Sequence, residues 1–371
     1  MKVELHLIQN FAPSCLNRDD TNTPKDCEFG GHRRARISSQ CIKRSIRKAD
    51  VFAETVGEVG VRTKLLTGQL EQRLTSSGKK AEEIQAIVPT FVTNLISKLD
   101  KEKTAVLLYL GKDEIERMGE TLLSHWSKLS ASAKTGKEMD EACKEVAKDF
   151  KRGSKATDIA LFGRMMAEHP NFAIDAACQV AHAISTNKIL MDMDFYTAVD
   201  DLQPEAETGA GMMGVTGFNS SCFYRYSLVD IEQLKENLGG DEELALKTLE
   251  AFLRASVAAI PTGKQNSMAA QNPPDAILAV VRANGAPMSL ANAFATPIRP
   301  TKDKSLVQAS IETMDSYWGK LAKVYGENGV KIHPICLVEE AKLEALKDQQ
   351  VSSFGELVKK IADAVVFEEA K

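Results

Sequence analysis

Residues 2–9 alternate, with Val3, Leu5 and Leu7 on one side and Glu4, His6 and Ile8 on the other. A period of two predicts a strand with one face more buried than the other. The Pro-, Asn-, Asp- and Gly-rich stretch 13–31 predicts a loop. From Ser38 to Thr55 the period becomes helical, with Ile42, Ile46 and Ala49 as the buried stripe and Ser38 or Ser39 as N-cap. Across 60–165 apolar residues recur near helical spacing: Leu66, Leu70 and Leu74; Ile84, Ile87 and Val88; Leu107 and Leu108; Met118, Leu122 and Trp126. That region reads as a helical insertion ending in a charged helix, 140–152, and the cations at 144, 148, 151, 152 and 155, near helical spacing, belong to a solvated face or border a nucleic-acid groove. Residues 158–166 return to the main body. Residues 171–186, rich in small side chains, favour a strand, with helix as the alternative. Residues 191–218 hold four Gly after a Pro and read as a long excursion. Alternation returns at 219–229, an amphipathic helix fills 241–260 before Pro261, 276–282 is an apolar strand, and helices over 305–325 and 353–366 close the chain. Without its insertions the order is βαββαβ. That is an α+β, ferredoxin-like order shared by RNA-recognition modules.

Charge changes the picture at one place. The chain of 371 residues carries 47 Lys+Arg against 51 Asp+Glu, yet 32–48 holds seven cations and no acid. Such a segment expects an anion, most often a phosphate chain. On the predicted helix Gln40, Lys43 and Arg47 share a face, with Arg44 and Lys48 beside them, and the helix start adds free backbone N–H groups. Gly30 and Gly31 before it permit positive φ or a close backbone approach. A solvated basic face is the other reading. The remaining composition is that of an ordinary globular protein, 43% apolar and 26% charged. The N-terminus is too polar for a signal peptide, and no apolar run is long enough to span a bilayer. Seven scattered cysteines without a C-x-x-C predict free thiols in a reducing cytosol. The histidines lack metal spacing, and no Walker A, G-x-G-x-x-G or G-x-S-x-G motif occurs. No cofactor is expected.

Ordered blocks along the chain then carry a resemblance. They are Ser14-Cys15-Leu16-Asn17-Arg18-Asp19-Asp20, Phe29-Gly30-Gly31, Arg36-Ile37-Ser38-Ser39-Gln40, Asp158-Ile159-Ala160-Leu161, Gly163-Arg164-Met165, Ala181-His182-Ala183-Ile184, FYTAVDDLQ from Phe195, Phe223-Tyr224-Arg225-Tyr226, Asn237-Leu238-Gly239-Gly240 and PMSLANAF from Pro287. In these the sequence resembles the CasC family, the CRISPR RNA-binding backbone subunit of the type I-E surveillance complex Cascade. The resemblance implies a ferredoxin-like palm, a helical fingers insertion and a thumb β-hairpin. Their expected bounds are palm at 1–57, 167–187 and 220–371 (the last with the C-terminal helices), fingers at 58–166, and thumb at 188–219. It implies a non-catalytic subunit that polymerises along CRISPR RNA. The thumb kinks the guide, and the bases between kinks are presented to target DNA, so that pairing reads the sequence. The implied partners are the RNA, target DNA through the guide, copies of the chain itself, and the large, small, 5′-end and 3′-end capping subunits.

Matched position by position, Arg18, Lys25, Gln40, Lys43, Arg44 and Arg47 hold the guide backbone. Met165, Phe195 and Tyr196 flank the kinks, and Lys264 and Gln265 form another guide contact. The family often has Trp-Phe where this chain has Phe195-Tyr196, and His32 stands where Lys is common. Relatives in other CRISPR types cut RNA with a loop Asp. A metal-dependent endoribonuclease using Asp19, Asp20 or Asp26 is therefore the alternative, against a role for Asp19 and Asp20 in orienting cations or capping N–H groups. His182 is expected to be a core histidine, and Tyr224 and Tyr226 packing residues of a strand.

Overall fold

The computed structural model describes residues 1–131, 136–150, 154–166, 172–198, 212–365 and 367. Its contacts divide into two units, one of Met1–Phe52, Val180–Leu228 and Phe252–Lys371, the other of Ala53–Gln179 and Val229–Ala251.

The first unit is built on a mixed α+β frame. Its sheet runs in the order Val330–Ile332, Ala276–Arg282, β1 (Lys2–Ser14), the long strand Met212–Asp230, Ala183–Ser185, β3 (His32–Ile37), β2 (Asp26–Phe29). β1 pairs antiparallel with Ala276–Arg282 from Lys2↔Arg282 to Ile8↔Ala276. The pairs of Ala183–Ser185 with the long strand and with β3, and of β2 with β3, are antiparallel too. On one face Ile8, Cys222, Tyr224, Leu278 and Val280 pack with Val307, Ile311, Met314 and Trp318 of the helix Leu306–Tyr325. Ser305 and Gln308 close a reciprocal capping box at its start, as the Ser-x-x-Gln spacing demands.

Three expectations are corrected in this unit. The strand 2–9 is buried on both faces, because Glu4 and His6 find polar partners inside. Glu4 accepts from Arg282 Nε (2.9 Å), Tyr226 Oη (3.0 Å) and the Met288 N–H (2.7 Å). The hydroxyl of Tyr224 accepts the Leu290 N–H at 2.8 Å and lies 2.9 Å from His6 Nδ1. The stretch 13–31 is not all loop: β1 runs to Ser14, and β2 and β3 form a hairpin turned by Gly30 (φ +62°) and Gly31 (φ +75°). Positive φ at both turn positions matches the twist of the strands, and a Cβ on Gly30 would lie 1.9 Å from the Ala295 carbonyl oxygen. The basic helix also ends early. α1 spans Ser39–Lys48, Ala49 is extended (ψ 131°), and a separate helix, Asp50–Val56, follows.

The second unit is largely helical, as its periodicity predicts. Leu66–Ser76, Ala81–Leu95, Lys112–Ala131 and Gly136–Phe150 bury Leu70, Leu74, Val88, Phe91, Leu122 and Val146 in one core. Each such side chain contributes about 1.5–3 kcal/mol by leaving water. Leu107 and Leu108 are not helical: Leu108–Leu110 is a strand paired with Val61–Thr63, because a run this short reads alike in either state. In the stretch 171–186 the strand reading holds at Ala183–Ser185. Lys151, Arg152, Asn171 and Val366, at the edges of predicted elements, lie outside the described residues. Among the described residues no helix is long and apolar enough to cross a membrane, and all seven cysteines are free.

Candidate nucleic-acid interface

The seven cations of 32–48 are not equivalent. Arg34 is fully buried, and its guanidinium donates to the carbonyls of Ser185 (2.8 Å), Thr186 (3.0 Å), Phe294 (2.6 Å) and Ala295 (3.0 Å). It fastens the hairpin to the rest of the unit and is closed to a ligand. Arg33 pairs with Asp26 at 2.5 Å, and Arg36 Nε donates to the Asp26 carbonyl at 3.1 Å. That leaves the α1 set. Ile42 and Ile46 bury one side of the helix, which turns Gln40 and Arg44 outward and leaves Lys43 and Arg47 half-buried. The first turn holds no acid, and Ser38 Oγ accepts the Cys41 N–H at 3.3 Å. His182 is exposed rather than in the core, and its Nδ1 accepts the Ser39 N–H at 3.0 Å. Partial burial, then the charges of Arg36 and Lys25, hold its pKa below the usual histidine value. Lys25 and Arg44 also act on the Cys41 thiol, so strand, loop and helix gather their cations in one neighbourhood.

The loop before the hairpin forms a second cluster. Asn17 ties it to α1, accepting the Ser38 N–H on its side chain (2.8 Å) and the Lys25 N–H on its backbone (2.8 Å). Arg18 donates to Asn22 Oδ1 at 2.6 Å and stays exposed. Asp19 organises the turn: its carboxylate accepts from the N–H groups of Thr21 and Thr23, both at 3.0 Å, and from their hydroxyls. Those bonds hold its pKa below the carboxylate norm. An open depression of about 390 Å³ is lined by Asn17, Arg18, Asp19, Asp20, Asn22 and Gly263. A Cβ at Gly263 would lie 2.3 Å from the Leu16 carbonyl oxygen, so only glycine lets the 263–268 turn approach so closely. Lys264, in the left-handed region at φ +50°, joins Arg18 in acting on Cys15. Gln265 is different: its amide donates to the carbonyls of Pro261 (3.0 Å) and Ala270 (3.3 Å) and so braces its own turn.

Phe195 and Tyr196 lie on an antiparallel hairpin, Asp192–Ala198 with Met212–Asp230, in register Phe195↔Val215 and Tyr196↔Gly214. Residues 199–211 of the predicted thumb lie outside the described residues. As strand neighbours the two rings occupy opposite faces. Phe195 shares its face with Met193, Met213 and Val215, and these are 62%, 60%, 67% and 55% exposed. Tyr196 lies across Gly214, where a Cβ would come within 2.4 Å of its ring.

Met165 belongs to the other unit. Asp158, fully buried, accepts the Gly60 N–H and the Tyr109 hydroxyl, each at 2.6 Å. Gly163 (φ +74°) turns the chain where a Cβ would meet the Ile174 carbonyl oxygen at 2.8 Å. Arg164 is then driven inward, donating to Glu114 Oε2 (2.6 Å) and to the carbonyls of Phe172 (2.8 Å) and Tyr109 (3.2 Å). Its neighbour Met165 is left 91% exposed. The anchored arginine explains why a methionine stands in water: the backbone on which it sits is not free to turn it in.

The model for the family described as CT1975-like protein matches residues 3–360. The chain belongs to the CT1975-like protein family. Among solved structures it is similar to a chain of a "CRISPR RNA-guided surveillance complex, pre-nicking", with 30% identity, TM-score 0.84 and coverage of 98% of this chain and 100% of that one. A chain of a "CRISPR RNA-guided surveillance complex" is 25% identical, with TM-score 0.76 and coverage of 98% and 100%. No curated protein matches. The resemblance to the Cascade backbone subunit is thereby borne out.

In this CT1975-like chain the sequence-derived positions fall into separate groups. Lys25 lies with Arg44 near Cys41, and Lys43 and Arg47 occupy the same helix. Arg18 lies with Lys264 near Cys15. Phe195 and Tyr196 are on the hairpin and Met165 is on the other unit. Arg36 was missed as part of the Lys25 neighbourhood. The alternation of His32, Arg34 and Arg36 against Arg33, Ala35 and Ile37 was a strand signal hidden by the charge. Arg62, stacked over Tyr109 with its guanidinium carbon 4.7 Å from the ring centroid, had no sequence signal.

Proposed function

We propose that this chain is the non-catalytic, CRISPR RNA-binding backbone subunit of a type I-E Cascade complex, working in the cytoplasm. The observation that carries the reading is the end-to-end likeness, at 30% identity, to a chain of an RNA-guided surveillance complex. The proposed division is palm, fingers and thumb with the bounds given above. In the βαββαβ order the sheet places the fourth strand, the first, the third and the second side by side, which supports a ferredoxin-like palm. Arg18, Lys25, Gln40, Lys43, Arg44, Arg47 and Lys264 hold guide phosphates. Gln265 shapes the turn that presents Lys264. Phe195, from the thumb of one copy, and Met165 act at the kinks. Copies line up along the RNA, the remaining Cascade subunits cap and complete the filament, and exposed guide bases pair with target DNA. The hydrogen bonds that engage Asp19 and the Asp26–Arg33 pair support structural rather than nucleolytic roles for these carboxylates.

Sedimentation of the chain with a CRISPR RNA across a salt series, with a divalent-metal cleavage check on the same samples, tests this. Stepwise multimers on intact RNA that dissolve at high salt are expected. RNA cut by the wild type and spared by Asp19→Ala or Asp26→Ala would replace the reading with an endoribonuclease. A chain that ignores RNA at low salt would remove it.

A further inference from the structure

The sequence expects the start of α1 to offer free backbone N–H groups to an anion. Two of the first three are already taken: Ser38 Oγ accepts the Cys41 N–H at 3.3 Å, and the Ser39 N–H goes to Nδ1 of His182 at 3.0 Å. The pairing of β3 with Ala183–Ser185 explains how so distant a residue arrives there. Its last pair is Ile37↔Ala183, so one step further sets His182 against the residues that open the helix.

That bond fixes the tautomer. A backbone N–H can only donate, so Nδ1 carries a lone pair and the ring proton of the neutral imidazole sits on Nε2. The two ring nitrogens diverge, so the Nε2–H points away from the helix that holds Nδ1. His182 is exposed, and among the described residues its Nε2 has no acceptor. The charges that act on the ring are those of Arg36 and Lys25, and Lys25 shares its neighbourhood with Arg44. A side chain that only capped the helix would need an acceptor and nothing more. Here a neutral donor is held outward among cations, and the acceptor that suits it is an electron-rich oxygen from outside the chain. Hydrogen bonds in series polarise one another, so the ring also passes the positive end of the α1 dipole outward.

We propose that His182 is a further RNA-contacting residue, whose Nε2–H donates to an oxygen of the RNA backbone, a phosphate or a 2′-hydroxyl. The proposal rests on the RNA-binding reading above and adds to it a contact that carries no charge. Two properties set this contact apart. It releases no counterion, and it can be removed without removing the helix cap. The amide oxygen of Asn stands where Nδ1 stood and keeps an acceptor for the Ser39 N–H, but the side chain ends short of the Nε2 position.

The test measures binding of the full chain to a fluorescein-labelled single-stranded RNA across a salt series. His182→Asn is expected to weaken binding about tenfold, with the salt slope unchanged and urea unfolding as in wild type. His182→Ala is expected to weaken binding equally and to lower the unfolding midpoint, since the cap goes too. RNAs with single 2′-deoxy substitutions name the acceptor. A position that costs wild type affinity and costs His182→Asn nothing further identifies a hydroxyl, and the lack of any such position identifies a phosphate. A second readout does not depend on a variant's stability. In long-range ¹H–¹⁵N spectra of the ¹⁵N-histidine protein, the His182 ring, assigned by its loss in His182→Ala, is expected to carry its proton on Nε2 and to shift there when RNA is added. An Nε2 signal unmoved by bound RNA overturns the proposal. Wild-type affinity in His182→Asn beside weak binding in His182→Ala leaves His182 a cap alone and also overturns it, while the RNA-binding reading stands. If the wild type binds no RNA at low salt, the RNA-binding reading fails and the proposal falls with it.

Discussion

At the scale of single residues, equal formal charges have unequal roles. Arg34 serves four carbonyls in the interior, while Arg44 stands in water one turn into α1. Arg34→Ala strands those acceptors, and a loss of about 3 kcal/mol or more is expected in urea unfolding. Arg44→Ala is expected to stay within about 0.5 kcal/mol by the same measurement. Lys43→Ala with Arg47→Ala removes two proposed phosphate contacts at about 0.7 each, so the salt slope of RNA binding should fall by roughly 1.4. An unchanged slope would take the phosphate off α1.

His6 sets a pH dependence. Burial, then the charge of Arg282, lowers its pKa to about 3. The unfolded chain takes up this proton near pH 6.5 and the folded chain does not, so stability is present above that value and is lost as pH falls toward 3. Between pH 7 and pH 5 the loss from His6 is about 2 kcal/mol. Urea midpoints at the two pH values should differ less in His6→Phe than in wild type, and an equal difference in both would refute the assignment.

At the scale of elements, the hairpin Asp192–Ala198/Met212–Asp230 separates its two rings. Phe195→Ala should leave thermal stability unchanged, since the ring is exposed, and alter the chemical reactivity of guide bases at regular intervals. Tyr196→Ala removes the cover from Gly214 and should loosen the hairpin itself, seen as faster amide exchange there. Identical effects from the two substitutions would contradict the facing read from the register. The helices of the second unit were legible from their 3.6-residue stripes, because each hides one side in a shared core. The β2–β3 hairpin was not, because its turn glycines and flanking polar residues read as a loop until Ala183–Ser185 pairs with β3.

For the whole molecule, a formal charge of −4 and a locally basic surface fit a subunit that repeats along an anion. If Arg18, Lys25, Lys43, Arg44, Arg47 and Lys264 each neutralise a phosphate, log K should fall with log salt at roughly 4 per subunit. Titrations between low and physiological salt at increasing RNA length measure it. A slope that does not grow with each added subunit would place the affinity elsewhere.

Local physics is written in local sequence. The alternation at β1, the apolar run at 276–282, the helix stripes, the Ser caps, the helix-stopping Pro261 and the acid-free basic run each depend on near neighbours, and the sequence by itself determined them. It also determined the family, through blocks whose order no folding is needed to read. Burial and partnership depend on residues brought from far along the chain, and only the tertiary structure decided them. Arg34 was one more cation of a run that expects an anion until Ser185 and Phe294 closed around it. His182 looked like a core residue until its ring met the start of α1. Glu4 stood opposite the Val3, Leu5 and Leu7 face until Arg282 arrived from the neighbouring strand and paired with it inside. A charge shows its sign in the sequence, but whether it meets water, a carbonyl or a ligand is set by what the fold places opposite it.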